Sequence, residues 1–312
     1  MTHPLVRAAG LAAAALVLAG PALAQAPASG IPGVVAPGTL PELVQDGFVF
    51  TEGPVGTVEG GLLFSDVQAN RTYRLDIKGT ITVLRENTGG GNGLALARGG
   101  DLYTAEGSDQ RISKRTPTGE ISTMTLGTPI QPLKAPNDLI LDAAAGIYFT
   151  DPGPRPVVPG RISYVYYLPR LATQPIVIDD QITRPNGLTI TRNGKTLIVD
   201  DTIGTTVFAY DVQRDGTVKN KRPFAQIQDI PAGQESGADG MALDRADRVY
   251  ISTVTGVQVF DATGHYLGTI KFPRQPANLA FAGPNKHTLY VTAREGLYKI
   301  VMLSQGPDRF GK

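Results

Sequence analysis

One short element recurs six times along this chain and restricts its fold more than any other feature. A polar residue, usually followed by Gly or Asp, opens a run of apolar residues. The copies are Glu52-Gly-Pro-Val55, Asn92-Gly-Leu-Ala-Leu96, Asn137-Asp-Leu-Ile-Leu141, Asn186-Gly-Leu-Thr-Ile190, Asp239-Gly-Met-Ala-Leu243 and Asn278-Leu-Ala-Phe281. They start 40, 45, 49, 53 and 39 residues apart. A period of this size, with about four short strands per unit, predicts a β-propeller.

The sequence between the copies supplies the other strands. Leu63-Phe-Ser65, Asp101-Leu-Tyr-Thr104, Gly146-Ile-Tyr-Phe-Thr150, Thr196-Leu-Ile-Val199, Arg248-Val-Tyr-Ile-Ser252 and Thr288-Leu-Tyr-Val-Thr292 carry the β-branched and aromatic residues of strands. Turn signals such as Lys78-Gly79, Thr118-Gly119, Asn193-Gly194, Asp215-Gly216 and Thr263-Gly264 join hairpins within each unit. With 37 glycines and 24 prolines, and no helical apolar spacing beyond the N-terminus, the chain reads as all-β. A two-sheet sandwich is the rival, but it has no need for the same polar start six times. The expected architecture is a six-bladed β-propeller over residues 42–303, followed by a tail over 304–312. An open ring would expose a strand edge, so Glu42 to Phe50 is expected to join the last blade.

In a propeller the first strand of every blade lines the central channel. Glu52, Asn92, Asn137, Asn186, Asp239 and Asn278 then form a ring around the axis. A single Asn or Asp at a strand start is commonly a matter of turn geometry. Six of them, all offering oxygen and none a His or Cys, point to a shared polar centre. Such a ring suits one hard divalent cation: Glu52 and Asp239 balance its charge, and the carboxamide oxygens of Asn137 and Asn186 add neutral ligands. Ca²⁺ fits best, and the ligand set leaves Mg²⁺, Mn²⁺ and Zn²⁺ open. Asn186-Gly187 is thereby distinguished from the identical Asn193-Gly194, which only turns a hairpin.

The N-terminus reads as a secretory signal. Arg7 precedes an apolar stretch, and Ala22-Leu-Ala24 has the small-residue form of a cleavage site, so cleavage is expected near Ala24. A signal peptide over 1–24 and a flexible Gly/Pro/Ala leader over 25–41 follow, with a periplasmic or secreted product. The apolar run is short for a retained span. The absence of cysteine requires stability without disulfides. A net charge of +1 with no basic run argues against nucleic acid and anionic membrane as partners.

Phe50-Thr-Glu-Gly-Pro-Val55, Leu63-Phe-Ser-Asp66, Ala135-Pro-Asn-Asp138, Ile147-Tyr-Phe-Thr-Asp-Pro152, Arg184-Pro-Asn-Gly-Leu188, Ala238-Asp-Gly-Met-Ala-Leu-Asp244 and Ala277-Asn-Leu-Ala-Phe281 resemble, in order, the motifs of the SMP-30/gluconolactonase/luciferin-regenerating family. The similarity runs from about residue 42 to 302. It implies a six-bladed propeller with one catalytic divalent metal, held here by Glu52, Asn137, Asn186 and Asp239. Two departures concern the pocket wall. Gly56 stands where relatives often have Trp, and Ala105-Glu-Gly-Ser-Asp109 lacks the His that bacterial relatives carry.

The expected reaction is hydrolysis of a small-molecule lactone, the metal polarising the carbonyl and Asp239 acting as general base or, less favourably, as nucleophile. Asn92, Glu106 and Asn278 are candidate substrate contacts, and Lys134 lies within reach of an anionic substrate or is simply solvated. For Glu106, Asp151 and Asp201, at the ends of second strands, bonding to turn backbone is the favoured role. Ser-His-Asp catalysis is disfavoured, because His265 and His287 sit in apparent turns and no Gly-x-Ser-x-Gly elbow exists. Two other functions fit the same frame: a non-catalytic sugar- or protein-binding propeller, and hydrolysis of another ester or a phosphotriester.

Overall fold

The computed structural model describes residues 30–308. The expected signal peptide, 1–24, lies outside the described residues. Six four-stranded antiparallel sheets form the blades of a propeller. Blade 1 comprises Thr51–Gly56, Leu62–Asp66, Arg71–Leu75 and Ile81–Glu86. Blade 2 comprises Gly91–Leu96, Leu102–Glu106, Arg111–Arg115 and Ile121–Thr125. Leu139–Leu141, Ile147–Asp151, Tyr164–Leu168 and Ile176–Asp179 make blade 3. Pro185–Ile190, Thr196–Asp201, Thr206–Val212 and Val218–Gln226 make blade 4. Met241–Leu243, Val249–Thr253, Gly256–Phe260 and Tyr266–Ile270 make blade 5.

Blade 6 is completed from both ends of the chain. Asn278–Ala282, Thr288–Ala293 and Gly296–Val301 are joined by Glu42–Asp46, which pairs antiparallel with Gly296–Val301. The expected closure is therefore present. Arg274 holds both carboxylate oxygens of Asp46 at 2.7 Å, which fixes the closing strand from outside the sheet.

Burial falls from the inner strands to the outer ones. Leu62–Asp66 and Ile147–Asp151 are buried throughout, whereas Ile81–Glu86 and Ile121–Thr125 are largely exposed. Inner strands are covered on both faces by neighbouring blades, so they read as continuous apolar runs; the outer strands splay into solvent. The core is accordingly divided into seams. Phe64, Ala280 and Leu297 join blades 6 and 1, Tyr148, Leu188 and Tyr210 join blades 3 and 4, and similar clusters fill the other four seams.

One terminal expectation needs correction. The leader is not free beyond its start: Ile31, Val34 and Val35 are buried with Val257, Ile270 and Tyr298 at the seam of blades 5 and 6. Each such side chain contributes about 1.5–3 kcal/mol. The first residues of the tail pack on the propeller as well, since Ser304 is buried and Gly306 N donates to Lys286 O at 2.8 Å.

Each blade is an antiparallel meander. The start of its first strand, the end of its second, and the connection from second to third strand therefore share one end of the ring. That end carries the candidate site.

Candidate functional site

The six polar residues form a closed circuit, and the residues that follow them explain how. A Cβ on Gly53 would lie 2.0 Å from Asn92 O, and one on Gly93 would lie 2.8 Å from Asn137 O. Gly93 N donates to that same carbonyl at 2.8 Å. Thr150 Oγ1 bridges blade 3 to Asn186 O at 2.7 Å. A Cβ on Gly187 would meet Asp239 O at 1.9 Å, and one on Gly240 would meet Asn278 Cγ at 1.9 Å. Asn278 Nδ2 donates to Glu52 Oε2 at 3.1 Å and completes the ring. Glycine occupies these positions because any side chain would push adjacent blades apart.

Backbone irregularities aim the side chains. The pairing of first and second strands slips between Glu52 and Val55, between Gly91 and Leu94, and between Pro185 and Leu188. Bulges of this kind redirect side chains next to functional sites. In blades 3 and 5 the ring residue instead precedes a shorter strand, and Asn137 N and Asp239 N still bond to Thr150 O and Ser252 O.

The orientation of Asn186 follows from its neighbours. Thr202 spends its hydroxyl proton on Ala238 O at 2.8 Å, so Thr202 Oγ1 accepts from Asn186 Nδ2 at 3.0 Å. Asn186 Oδ1 is thereby turned away from Thr202. It is sealed from solvent and has no donor, as are Oδ1 of Asn92, Asn137 and Asp239. An orphaned buried acceptor costs about 1–3 kcal/mol. Four of them in one ring make a site that is incomplete without an external partner.

The charges agree. Burial pushes the carboxyl of Asp239 well above the ordinary carboxylate range, and the neighbouring charges of Glu52, Asp200 and Asp138 push it further, against a weaker opposing effect of Arg294. Glu52 itself is buried and accepts Gly53 N–H at 2.8 Å. Among the described residues no three His, Cys, Asp or Glu side chains converge as a ready-made metal cage. The donor set instead mixes carboxylate with carboxamide, all of it hard oxygen. The chemistry of Glu52, Asn137, Asn186 and Asp239 thus fits a hard divalent cation.

The remaining expectations divide. Asn92 belongs to the ring, and its Oδ1 is buried with no donor. Glu106 is already engaged: its carboxylate takes Arg85 Nη1 of blade 1 at 2.6 Å and, within blade 2, Arg111 Nε at 2.5 Å and Ser113 Oγ at 2.5 Å. Asn278 is likewise committed, donating to Glu52 and accepting Leu279 N at 2.8 Å. Asp66, Asp151 and Asp201 hold turn backbone, accepting from Phe50 N, Ala135 N and Arg184 N respectively. His265 is exposed, and His287 bonds Ser304 O at 2.8 Å, away from the ring.

Sequence reasoning missed Asp138 and Asp200, whose charges act on Asp239, and Thr202, which orients Asn186. Asp138 stands in the place of the repeated Gly, but no local pattern discloses its effect on Asp239. Nothing local distinguishes Thr202.

The curated relatives match parts of the chain. Pentonolactonase XacC of Haloferax volcanii is 30% identical over 166 residues, covering 51% of this chain and 53% of that protein. Diisopropyl-fluorophosphatase of Loligo vulgaris is 29% identical over 130 residues, covering 39% and 40%. The chain thus spans about half or less of these relatives' length. A gluconolactonase structure from Xanthomonas campestris superposes with a TM-score of 0.78 at 27% identity, covering 91% of this chain and 99% of that one. The family model described as "SMP-30/Gluconolactonase/LRE-like region" matches residues 50–295, and the chain belongs to that family.

Proposed function

We propose that the protein is a metal-dependent lactone hydrolase. The observation that carries this reading is the set of orphaned oxygens at Asn137, Asn186 and Asp239, beside the buried Glu52. These four residues would hold one divalent cation, Ca²⁺ by preference. A bound cation supplies Lewis-acid polarisation of the lactone carbonyl and stabilises the charge that develops on its oxygen. The chain's own residues do the rest. The Asp239 carboxylate, whose orphaned Oδ1 would face the cation, takes the proton of the attacking water on its other oxygen. Asn92 Oδ1 accepts a substrate hydroxyl. Thr202 keeps the Asn186 amide from rotating, so the oxygen stays presented. The names of XacC and of the Xanthomonas structure support the lactone class.

The similarity to diisopropyl-fluorophosphatase supports a second reading, hydrolysis of a phosphotriester at the same ring. Turnover of aldonolactones, aromatic lactones and organophosphates, measured with and without EDTA, separates the two. We expect EDTA-sensitive opening of a lactone and a loss of about 10²-fold or more in kcat for Asp239→Asn. Full activity in Asp239→Asn would remove the general base. No EDTA-sensitive turnover on any compound would point to a binding propeller instead. The N-terminal segment supports export, and Edman sequencing of the mature protein is expected to begin at Gln25; an N-terminus at Met1 would contradict it.

A further inference from the structure

Arg184 is a buried cation without an anion. It is 7% exposed and stands two residues before Asn186. Its backbone is fixed on both sides: Arg184 N donates to Asp201 Oδ1 at 3.0 Å, and Arg184 O accepts Thr202 N at 3.0 Å. Its guanidinium has weak partners. Nη1 donates to the carbonyls of Pro152 and Gly153 at 3.4 and 3.3 Å, and Nε is sealed from solvent with no acceptor. Burying a guanidinium is costly unless a carboxylate or phosphate completes its hydrogen bonds.

Two further basic residues pack against the same stretch of backbone. A Cβ on Gly153 would lie 3.4 Å from Arg161 Nη1 and 3.7 Å from Lys134 Cβ, so Lys134, Arg161 and Arg184 surround one dipeptide, Pro152-Gly153. None of the three forms an ion pair among the described residues, whereas nearby Arg155 is taken by Glu235 at 3.0 Å. Asp151 is occupied by the backbone N–H groups of Lys134 and Ala135 at 2.8 Å. Asp239 and Glu235 act on Arg184 through space, and neither lies within ion-pair distance. The connection that carries Gly153 and Arg161 joins second to third strand of blade 3, which places it on the same end of the propeller as the ring.

We propose that Arg184, supported by Arg161 and Lys134, forms an anion-binding subsite beside the ring, and that the substrate is a lactone bearing a carboxylate or phosphate away from the ester. This rests on the lactone-hydrolase reading of the site. The planar guanidinium fork matches either anion, and the two flanking cations add field.

The test uses Ca²⁺-loaded enzyme and three γ-lactones of one hexonic acid skeleton whose C6 is a hydroxymethyl, a carboxylate or a phosphate. A charged C6 is expected to lower KM by about ten-fold or more, as a charge-assisted hydrogen bond does, and the better of the two anions identifies the group. Arg184→Gln should raise KM for the charged lactones by about the same factor and affect kcat less, with partial rescue in Arg184→Lys. Preference for the neutral lactone, or an equal loss on all three in Arg184→Gln, overturns the proposal. Should Arg184→Gln fail to fold, the Lys134→Gln/Arg161→Gln double variant takes its place, with an expected loss of about three-fold or more in charged-over-neutral preference. If the wild type opens none of the three, the lactone reading fails separately. Calorimetric titration with inorganic sulfate then decides the subsite: binding abolished in Arg184→Gln supports it, and absent or unchanged binding overturns it.

Discussion

Asn186-Gly187 and Asn193-Gly194 show what environment does to one dipeptide. Asn193 Oδ1 accepts from Thr191 Oγ1 and Lys195 N, both at 2.9 Å, while Gly194 adopts φ +70°, so that pair closes a turn. At Asn186 the amide nitrogen is consumed by Thr202 and the oxygen is left bare, and Gly187 exists to let blade 5 approach. Asn186→Leu should therefore weaken Ca²⁺ binding about ten-fold or more, read by calorimetry. Asn193→Leu should leave it intact and cost about 1 kcal/mol of stability. Equal effects at the two positions would sink the assignment. The ring was legible in the sequence because its members recur at one place in every repeat. The roles of Asp138, Thr202 and Arg184 were not, because each depends on a contact with another blade that no local pattern encodes.

At the level of strands, the repeat also disclosed the blades and the closure by Glu42–Asp46, since an unclosed ring leaves an edge. What stayed hidden was the docking of Ile31, Val34 and Val35, whose Gly- and Pro-rich surroundings read as a leader while only three apolar side chains find a seam. Deleting residues 42–46 should cost about 4 kcal/mol from lost ladder hydrogen bonds. That lowers Tm by about 10 °C, and an unchanged melting curve would contradict the closure. Outer strands are tied more locally. Asp179, at the end of blade 3, accepts Tyr210 Oη at 2.9 Å and pairs with Lys221 at 2.7 Å, both from blade 4. Burial disfavours its charge, but Lys221 and the hydrogen bonds of Gln181 and Tyr210 outweigh that, and its pKa lies below the ordinary value. A depressed carboxylate stabilises above its unfolded pKa, about 3.9, and loses that contribution as pH falls through the folded value. Asp179→Asn should thus be about 1–2 kcal/mol less stable at pH 7, with the gap closing below about pH 4 in urea melts. A gap independent of pH would show that the ion pair contributes nothing.

For the whole molecule, the ring is where all six blades meet, and it is also where acidic charge and orphaned acceptors concentrate. A cation held by Glu52, Asn137, Asn186 and Asp239 would link blades 1, 3, 4 and 5 at once, so binding and folding should be coupled. Of the two departures from the family's motifs, Gly56 ends the first strand of blade 1 and so lies at the opposite end from the ring, whereas Ala105-Glu-Gly-Ser-Asp109 closes the second strand of blade 2 at the ring's own end, outside its donor set. The most direct test is a Ca²⁺ titration of metal-depleted protein that follows Tm and lactone turnover together. The account predicts one ion per chain, stabilisation of about 2.7 kcal/mol at a hundred times Kd, and turnover that is absent without metal and returns along the same isotherm. Full lactone turnover by protein shown to carry no metal would contradict it.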